Sequence, residues 1–241
     1  DLNIRKISKE IHRRQITFGF HSKNRFQITD AKLENGLQKF QLIDHNNKKQ
    51  YKFSTNLSGR HNLYNVTAAI CVAIEENISV KDIAKGLANF RGVGRRFELS
   101  EIYFSNHPHV LIDDYGHHPA EILSTILAAK EKFPRQKICM IFEPHRFTRT
   151  QQLFDDFIKV LSKVDFLLLL DIYPASEKPI KGISSKKLAS EILKNHKNVH
   201  YIGNKDPMNW LQENHHDFSV LITQGAGTIS KLNKKIKKKW Q

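Results

Sequence analysis

The first third of the chain alternates polar and apolar side chains, which is the pattern of half-buried β-strands. This pattern predicts strands over residues 15–20, 25–29, 37–43 and 50–54. The hydrophobic period then changes, and apolar residues recur at helical spacing over 62–76 and again from 80 to 90. Ser79 stands directly before the second of these helices, and Asp82 follows three residues later, which predicts a helix start close to a capping box.

From about residue 97 onward, strand-like and helix-like segments alternate along the chain. Apolar blocks predict strands over 109–112, 138–142, 164–170 and 218–222, and the segments between or beside them predict helices over 119–133, 150–163, 184–194 and 207–213. Alternation of this kind is typical of an α/β fold with a doubly wound, mostly parallel sheet. Gly92 and Gly94 end the preceding helical pattern and indicate an interdomain linker.

Polar clusters follow four of the predicted strands, at 113–119, 143–150, 171–175 and 224–228. Binding sites of parallel α/β sheets lie at the carboxyl ends of the strands. We therefore expect the four clusters to converge in space and to form one site.

Two chemical interpretations of the first cluster remain open. It contains carboxylates and imidazoles, which are common metal ligands, at Asp113, Asp114, His117 and His118. The same residues could form a hydrogen-bonded turn between a strand and a helix. In the last cluster, Gly225 and Gly227 are compatible with a phosphate cradle or with a tight turn.

The second cluster is basic, with His145, Arg146 and Arg149. Arginine forks bind carboxylate or phosphate through two parallel hydrogen bonds, although a pair of surface arginines explains the pattern equally well. Near the start of the first predicted helix, Asn62 and Asn65 are three residues apart, so both side chains could face one ligand.

Charge and composition narrow the class of partner. The 241 residues carry 39 Lys plus Arg against 24 Asp plus Glu, a net charge of +15. This excess is compatible with nucleic acid, an anionic membrane surface, phosphorylated substrates or a solvated lysine-rich surface, and we favour the last two. The dense run over 231–239 has helical spacing, which favours a solvated helix face. No apolar run approaches the roughly 20 residues of a membrane span, and Cys71 and Cys139 are expected to be reduced core thiols of a cytoplasmic protein.

Four motifs in a fixed order resemble those of the Mur ligase family. They are Gly-Arg-His-Asn-x-x-Asn from Gly59, Gly-Val-Gly-Arg-Arg-Phe from Gly92, Asp-Asp-Tyr-Gly-His-His-Pro from Asp113 and Glu-Pro-His-Arg-Phe-Thr-Arg-Thr from Glu143. The resemblance extends over essentially the whole chain. It implies that residues 1–93 are the C-terminal part of a central ATP-binding domain, and that 94–241 form a Rossmann-like, amino-acid-binding ligase domain.

The resemblance also implies a reaction. ATP would phosphorylate the carboxylate of UDP-N-acetylmuramate, and the amine of L-alanine would attack the acyl phosphate in the synthesis of peptidoglycan precursors. Mg²⁺ would neutralise the phosphates, with its ligands mainly in parts of the family that this sequence lacks. The partners would be these small molecules, with neither a membrane nor nucleic acid expected.

The family's site residues can be carried over where this sequence matches the motifs. For the nucleotide, the resemblance assigns adenine contacts to His61, Asn62 and Asn65, an ATP phosphate contact to Arg96 and a ribose contact to Asp114.

For L-alanine and the reacting acyl group, the resemblance implies a pocket made by Tyr115, His117, His145, Arg146 and Arg149. This is chemically reasonable, because an arginine fork can hold a carboxylate and a neutral imidazole can orient an amine or take its proton.

Three alternatives to the alanine-adding function are kept. A sister ligase attaches a recycled tripeptide to the same sugar nucleotide, but the Tyr-Gly-His-His sequence from Tyr115 favours the alanine enzyme. The chain could also be a non-catalytic remnant. A basic nucleic-acid-binding module is the weakest alternative, because no helix-turn-helix or zinc-finger pattern is present.

We expect the isolated chain to show no ligase activity. The family's ATPase domain contains a Gly-Lys-Thr segment that cradles phosphate, and this sequence has no Gly-Lys dipeptide. A companion chain that supplies the missing domains is one possible partner. The measurement is phosphate release with UDP-N-acetylmuramate, alanine and ATP, and robust turnover by the chain alone would contradict the expectation.

Overall fold

A computed structural model describes residues 2–57 and 59–241, except for the side chains of Leu2 and Asn3. The chain forms two compact units, Asp1–Leu57 with His61–Phe90, and Ser58–Arg60 with Arg91–Gln241. The domain boundary between residues 93 and 94, which the resemblance to the family implies, stays a prediction. Residues 1 and 58 of the first predicted domain lie outside the described residues.

The first unit combines a small sheet with helices. Its elements are α1 (Leu2–Ile7), a short 3-10 helix (Ser8–Glu10), β1 (Phe18–Gly19), β2 (Phe26–Glu34), β3 (Leu37–Asp44), β4 (Lys49–Thr55), α2 (Arg60–Glu75) and α3 (Val80–Asn89). The strands lie in the order β1-β2-β3-β4, and β2, β3 and β4 are antiparallel.

The core of this unit follows the alternation in its sequence. Phe26, Leu42 and Ile70 are fully buried, and the strand residues between the buried ones face outward. The predicted helix start is confirmed, because the hydroxyl of Ser79 accepts a hydrogen bond from the backbone N–H of Asp82 at 3.1 Å.

The second unit alternates strands and helices. Its elements are β5 (Glu98–Phe104), β6 (His107–Asp114), α4 (Pro119–Lys132), β7 (Ile138–Phe142), α5 (Phe147–Gln152), α6 (Phe154–Leu161), β8 (Phe166–Leu170), α7 (Ser185–Leu193), β9 (Val199–Gly203), α8 (Met208–Asn214), a 3-10 helix (His215–Asp217), β10 (Val220–Gln224) and α9 (Ile229–Trp240).

The predicted α/β class with a mostly parallel sheet is confirmed. The strand order is β5-β6-β10-β7-β8-β9, and every neighbouring pair is parallel except β5 with β6. One apolar core, which includes Ile126 and Phe157, covers one face of this sheet, and a second core, which includes Leu211 and Trp240, covers the other.

Several elements differ from the sequence predictions. β5 and β9 were not predicted, because both are edge strands whose exposed residues interrupt the apolar pattern. The helix predicted over 150–163 is two helices, α5 and α6, separated at Leu153. None of the helices in the described residues is long and apolar enough to cross a membrane. Cys71 and Cys139 are buried free thiols, as predicted.

Asp44 is a fully buried carboxylate at the end of β3. Its Oδ2 accepts a hydrogen bond from Asn47 Nδ2 at 2.7 Å, its Oδ1 accepts one from Asn46 N at 3.1 Å, and Arg25 Nε lies 3.5 Å from Oδ1. Burial raises the pKa of Asp44, but the hydrogen bonds from Asn47 and the contact with Arg25 lower it by more. The net pKa lies below the usual value, so the folded state favours the anion.

The substitution Asp44→Asn should therefore destabilise the first unit in a pH-dependent way. A carboxylate with a lowered pKa contributes stability above the unfolded pKa of about 3.9, and this stability is lost as pH falls through the folded pKa. We expect a cost of about 1–3 kcal/mol at pH 7 that shrinks towards pH 3. Chemical denaturation at both pH values measures it. Exposed Glu76→Gln is the control, and a cost independent of pH would contradict the assignment.

Candidate active site

The carboxyl ends of three central strands lie at the same level. Gln224, the last residue of β10, is paired with Asp114 of β6 on one side and with Phe142 of β7 on the other. The polar clusters that follow these strands therefore start side by side. The predicted convergence is found in the contacts between these clusters and the one after β8.

Asp114 ties the first cluster to the last strand. It is 7% exposed, and its Oδ1 accepts hydrogen bonds from Gly116 N at 2.8 Å and from Gln224 Nε2 at 3.0 Å. Its Oδ2 accepts a hydrogen bond from Phe97 N at 2.9 Å. A Cβ at Gly116 would lie 2.7 Å from Asp114 Oδ1, so the turn needs a glycine. The ribose contact assigned to Asp114 stays a prediction.

The rest of the first cluster starts α4. His118 is the N-cap residue, and its Nδ1 accepts a hydrogen bond from Ala120 N at 3.2 Å. The carboxylate of Glu121 accepts hydrogen bonds from His117 N at 2.8 Å and His118 N at 3.0 Å. The first cluster is thus a hydrogen-bonded turn between strand and helix, which was one of the two interpretations. Within residues 2–57 and 59–241, no group of three or more His, Cys, Asp or Glu side chains is arranged to hold a metal ion.

Four aromatic rings form a continuous row across three strand ends. The ring centroids of Tyr115 and His117 are 5.5 Å apart, those of His117 and His145 are 5.3 Å apart, and those of His145 and Tyr173 are 5.4 Å apart. Tyr115 is 40% exposed and thus accessible to a ligand. Three of the predicted pocket residues are therefore neighbours, and Tyr173 joins them although no role was predicted for it.

The hydrogen-bond partners fix different tautomers for the two imidazoles. Nδ1 of His117 lies 3.2 Å from the carbonyl oxygen of Tyr115, which only accepts, so this Nδ1 carries a proton and, in the neutral ring, Nε2 has the lone pair. Nδ1 of His145 lies 3.2 Å from Nη1 of Arg149, which only donates. The neutral His145 ring therefore has its proton on Nε2 and can donate a hydrogen bond there.

The two arginines of the second cluster lie next to His145. Arg149 also donates from Nη1 to the carbonyl oxygen of His145 at 3.1 Å. The side chain of Arg146 is 50% exposed, and its Nη1 lies 3.9 Å from Oε1 of Glu177. The pKa of His145 is lowered, first by burial and then by electrostatic repulsion from the neighbouring His117, Arg149 and Arg146. The ring is thus neutral near pH 7.

Arg95 is a residue that the sequence analysis missed. Its Cζ lies 5.2 Å from the centre of the Tyr115 ring, and its Nη2 donates to the carbonyl oxygen of Gly225 at 2.6 Å. Its Nε lies 3.5 Å from Asp113, a carboxyl whose pKa is raised by burial despite the opposing charge of Arg95. The predicted phosphate-binding residue, Arg96, is exposed. Arg95 and Arg96 are adjacent, and the sequence alone does not indicate which of the two side chains faces the site.

Glu143 holds the last cluster against the second. Its Oε1 accepts a hydrogen bond from Thr228 Oγ1 at 2.6 Å, and its Oε2 accepts one from Ile229 N at 2.9 Å. A Cβ at Gly227 would lie 2.5 Å from Cγ of Tyr173, and one at Gly225 would lie 2.8 Å from the carbonyl oxygen of Glu143. Both glycines thus allow close packing of loops, which favours the tight-turn interpretation over a phosphate cradle.

A cavity of about 540 Å³ opens beside this loop, at the ends of β7, β8 and β9. Its lining includes Glu143, Asp171, Tyr173, Thr228, Lys231 and Lys235. Tyr173 belongs both to this lining and to the row of rings. The volume suits a small polar molecule.

The remaining predicted residues lie on α2, in the first unit. Asn62 is 6% exposed, and its Oδ1 accepts a hydrogen bond from Nδ2 of Asn65 at 3.4 Å, so the two amides share one face of the helix. Asn65 is exposed and His61 is half-buried. Their contact with adenine stays a prediction.

Comparison with known proteins identifies relatives over nearly the whole chain. The profile of the family described as "Mur ligase, glutamate ligase domain" matches residues 95–227, and that of the "Mur ligase middle domain" matches residues 1–73. UDP-N-acetylmuramate–L-alanine ligases from Hydrogenovibrio crunogenus and Baumannia cicadellinicola are 37% and 41% identical over 96% and 94% of this chain. These alignments cover 51% and 48% of the relatives, so the chain spans about half of their length.

Solved structures have the same fold. The crystal structure of UDP-N-acetylmuramate–alanine ligase from Thermotoga maritima matches with a TM-score of 0.73 at 23% identity, covering 93% of this chain and 47% of that one. A MurF ligase from Thermotoga maritima in complex with ADP matches with a TM-score of 0.71 at 17% identity, covering 99% of this chain and 51% of that one.

The tautomer and the lowered pKa of His145 can be tested by NMR titration of the imidazole. We expect a pKa below the ordinary 6.5, so protonation destabilises the folded state as pH falls below that value. Arg149→Met removes a positive charge and the donor to Nδ1, and should raise the His145 pKa. Arg135→Met, at an exposed arginine, is the control. An unchanged pKa in Arg149→Met would contradict the assigned contact.

Proposed function

Because the chain belongs to the Mur ligase family, we propose that it is the half of a UDP-N-acetylmuramate–L-alanine ligase that contacts ATP and the amino acid. Support for the substrate comes from two curated relatives with that name, at 37% and 41% identity. The proposal includes a cytoplasmic location, where ATP is available.

The proposed reaction forms one amide bond. The carboxylate of UDP-N-acetylmuramate attacks the γ-phosphorus of ATP, which gives an acyl phosphate and ADP. The amine of L-alanine then attacks the acyl carbon, the amine loses a proton, and inorganic phosphate leaves. Phosphoryl transfer needs positive charge around the phosphates, and amide formation needs an acceptor for the amine's proton.

The row of rings beside two arginines is the observation that supports this proposal. His117 has its lone pair on Nε2, so it can accept the proton of the alanine amine. His145 has its proton on Nε2, so it can donate a hydrogen bond to the oxygen that becomes negative at the acyl carbon. The two imidazoles lie 5.3 Å apart between centroids and have complementary roles.

The arginines and Tyr115 complete the proposed alanine pocket. Arg146 is the N-cap residue of α5, and Arg149 lies three residues later in the same helix. Their guanidinium groups can bind the alanine carboxylate. Tyr115 covers the adjacent side of His117, and the cation of Arg95 stacks on its ring.

For the nucleotide, we propose that His61, Asn62 and Asn65 contact adenine, Asp114 contacts the ribose and Arg96 contacts the phosphates. Mg²⁺ would neutralise the charge of the phosphates, with ligands from the remainder of the middle domain. That remainder, together with the nucleotide-sugar-binding domain, would belong to the same ligase or to a companion chain.

A fusion protein tests the proposal. This chain, joined behind the first half of the Baumannia relative, should release phosphate from ATP when UDP-N-acetylmuramate and L-alanine are both present. His117→Ala in the fusion should lower kcat by about 10²–10⁴-fold, as expected for loss of a general base. Exposed His12→Ala is the matched control.

Two outcomes would contradict the proposal. A folded fusion that releases phosphate with tripeptide but not with alanine would identify the sister ligase instead. A folded fusion that binds neither ATP nor alanine would indicate a chain without catalytic function.

A further inference from the structure

The carboxylate of Glu177 joins the loop after β8 to the start of α5. Its Oε2 accepts a hydrogen bond from Thr148 N at 3.0 Å, and its Oε1 accepts one from Thr148 Oγ1 at 2.6 Å. The same Oε1 lies 3.9 Å from Nη1 of Arg146. The Glu177 side chain is 20% exposed, whereas that of Arg146 is 50% exposed, so the arginine keeps a free side for a ligand.

Arg146 has a backbone conformation that is unusual for a residue with a side chain. Its φ is 73° and its ψ is 136°, in a region that is populated almost only by glycine. Hydrogen bonds fix this geometry on both sides. Arg146 N donates to the carbonyl oxygen of Tyr173 at 2.8 Å, and Thr150 Oγ1 donates to the carbonyl oxygen of Arg146 at 2.8 Å.

The loop that carries Glu177 is also strained. Ala175 and Ser176 have φ values of 46° and 71°, and Glu177 N donates to the carbonyl oxygen of Pro174 at 3.0 Å. Two central residues with positive φ are typical of a type I′ turn, which favours glycine or asparagine at those positions. Strain of this kind persists only where surrounding contacts hold it, and it concentrates at functional sites.

We propose that Glu177 is a positioning residue, whose carboxylate binds the first turn of α5 and thereby holds Arg146 in its strained geometry, with the Arg146 guanidinium beside the Glu177 carboxylate. The backbone strain arises because an arginine, instead of a glycine, occupies this position before α5. The functional part rests on the proposed function, in which Arg146 binds the carboxylate of the amino acid.

A plain helix-capping role for Glu177 would not need the strained residue. A cap stabilises the first N–H groups of a helix whatever residue precedes them. The positioning role makes a distinct prediction, because it couples Glu177 to the backbone of Arg146. The coupling can be measured without any ligand.

The test compares glycine with alanine at position 146, in the wild-type background and in Glu177→Ala. Both residues lack the guanidinium, so their difference reports backbone strain alone. At an unstrained site glycine lowers stability relative to alanine. We expect Arg146→Gly to melt about 2–4 °C above Arg146→Ala in the full chain. In the Glu177→Ala background the difference should shrink or reverse, because the backbone can relax there.

Matched controls separate this effect from general ones. At exposed Arg91, which is outside the positive-φ residues of the described chain, glycine should melt below alanine. Glu191→Ala, at a partly exposed glutamate of α7 that pairs with Lys194, should leave the difference at position 146 unchanged. Should Glu177→Ala fail to fold, Glu177→Gln serves instead, since it keeps an acceptor oxygen but loses the charge and one of the two hydrogen bonds from Thr148.

Two results would overturn the proposal. One is a glycine variant at position 146 that melts no higher than the alanine variant, which would mean no strain. The other is an equal difference in melting temperature between the glycine and alanine variants with and without Glu177, which would mean that Glu177 does not hold the strained backbone of Arg146.

A ligand measurement then tests the role in binding. In NMR titrations of the full chain with L-alanine, Glu177→Gln should weaken binding by about tenfold, the effect of losing one oriented charged contact. If the wild-type chain does not bind alanine, the proposed function fails while the melting comparison still decides the role of Glu177. Equal alanine affinity of wild type and Glu177→Gln would overturn the positioning role.

Discussion

The candidate site depends on the register of parallel strands at the centre of the larger sheet. Gln224 is level with both Asp114 and Phe142, so the loops that follow three strands start at one height. A shift of one residue would turn every buried side chain of a strand to the opposite face. β10 is buried throughout, and a shifted register would break the hydrogen bond that Gln224 donates to Asp114 on the neighbouring strand.

Buried polar side chains join the loops that follow these strands to one another and to the sheet. Asp114 and Glu143 are both less than 10% exposed, and each accepts hydrogen bonds from a neighbouring loop or strand. Removing one partner from such a contact leaves a buried charge unsatisfied, which is more costly than losing the hydrogen bond itself. Both carboxylates thus hold neighbouring loops and strands of the candidate site together.

The imidazoles obtain their chemistry from their neighbours. A carbonyl oxygen next to His117 and a guanidinium next to His145 give two identical side chains opposite tautomers. Burial and positive charge keep His145 neutral. One ring can then accept a proton while the other donates a hydrogen bond, which is the division of roles in the proposed amide formation.

Sequence patterns predicted the class of fold because hydrophobic period depends on local geometry. The fully buried strands β7 and β10 were identified, and so were the helices α4 and α7, whereas the half-exposed edge strands β5 and β9 were not. An edge strand has one neighbour and mixed exposure, so its residues carry no continuous apolar pattern.

By itself, the sequence determined the alternation of strands and helices, the order of the polar clusters and the family motifs, since each of these depends on residues close together in the chain. Only the tertiary structure decided that Arg95 packs on Tyr115, that Tyr173 extends the row of rings and that Glu177 contacts the start of α5. Those contacts join residues that are 20 or more positions apart, and they exist because parallel strands bring distant loops to one edge.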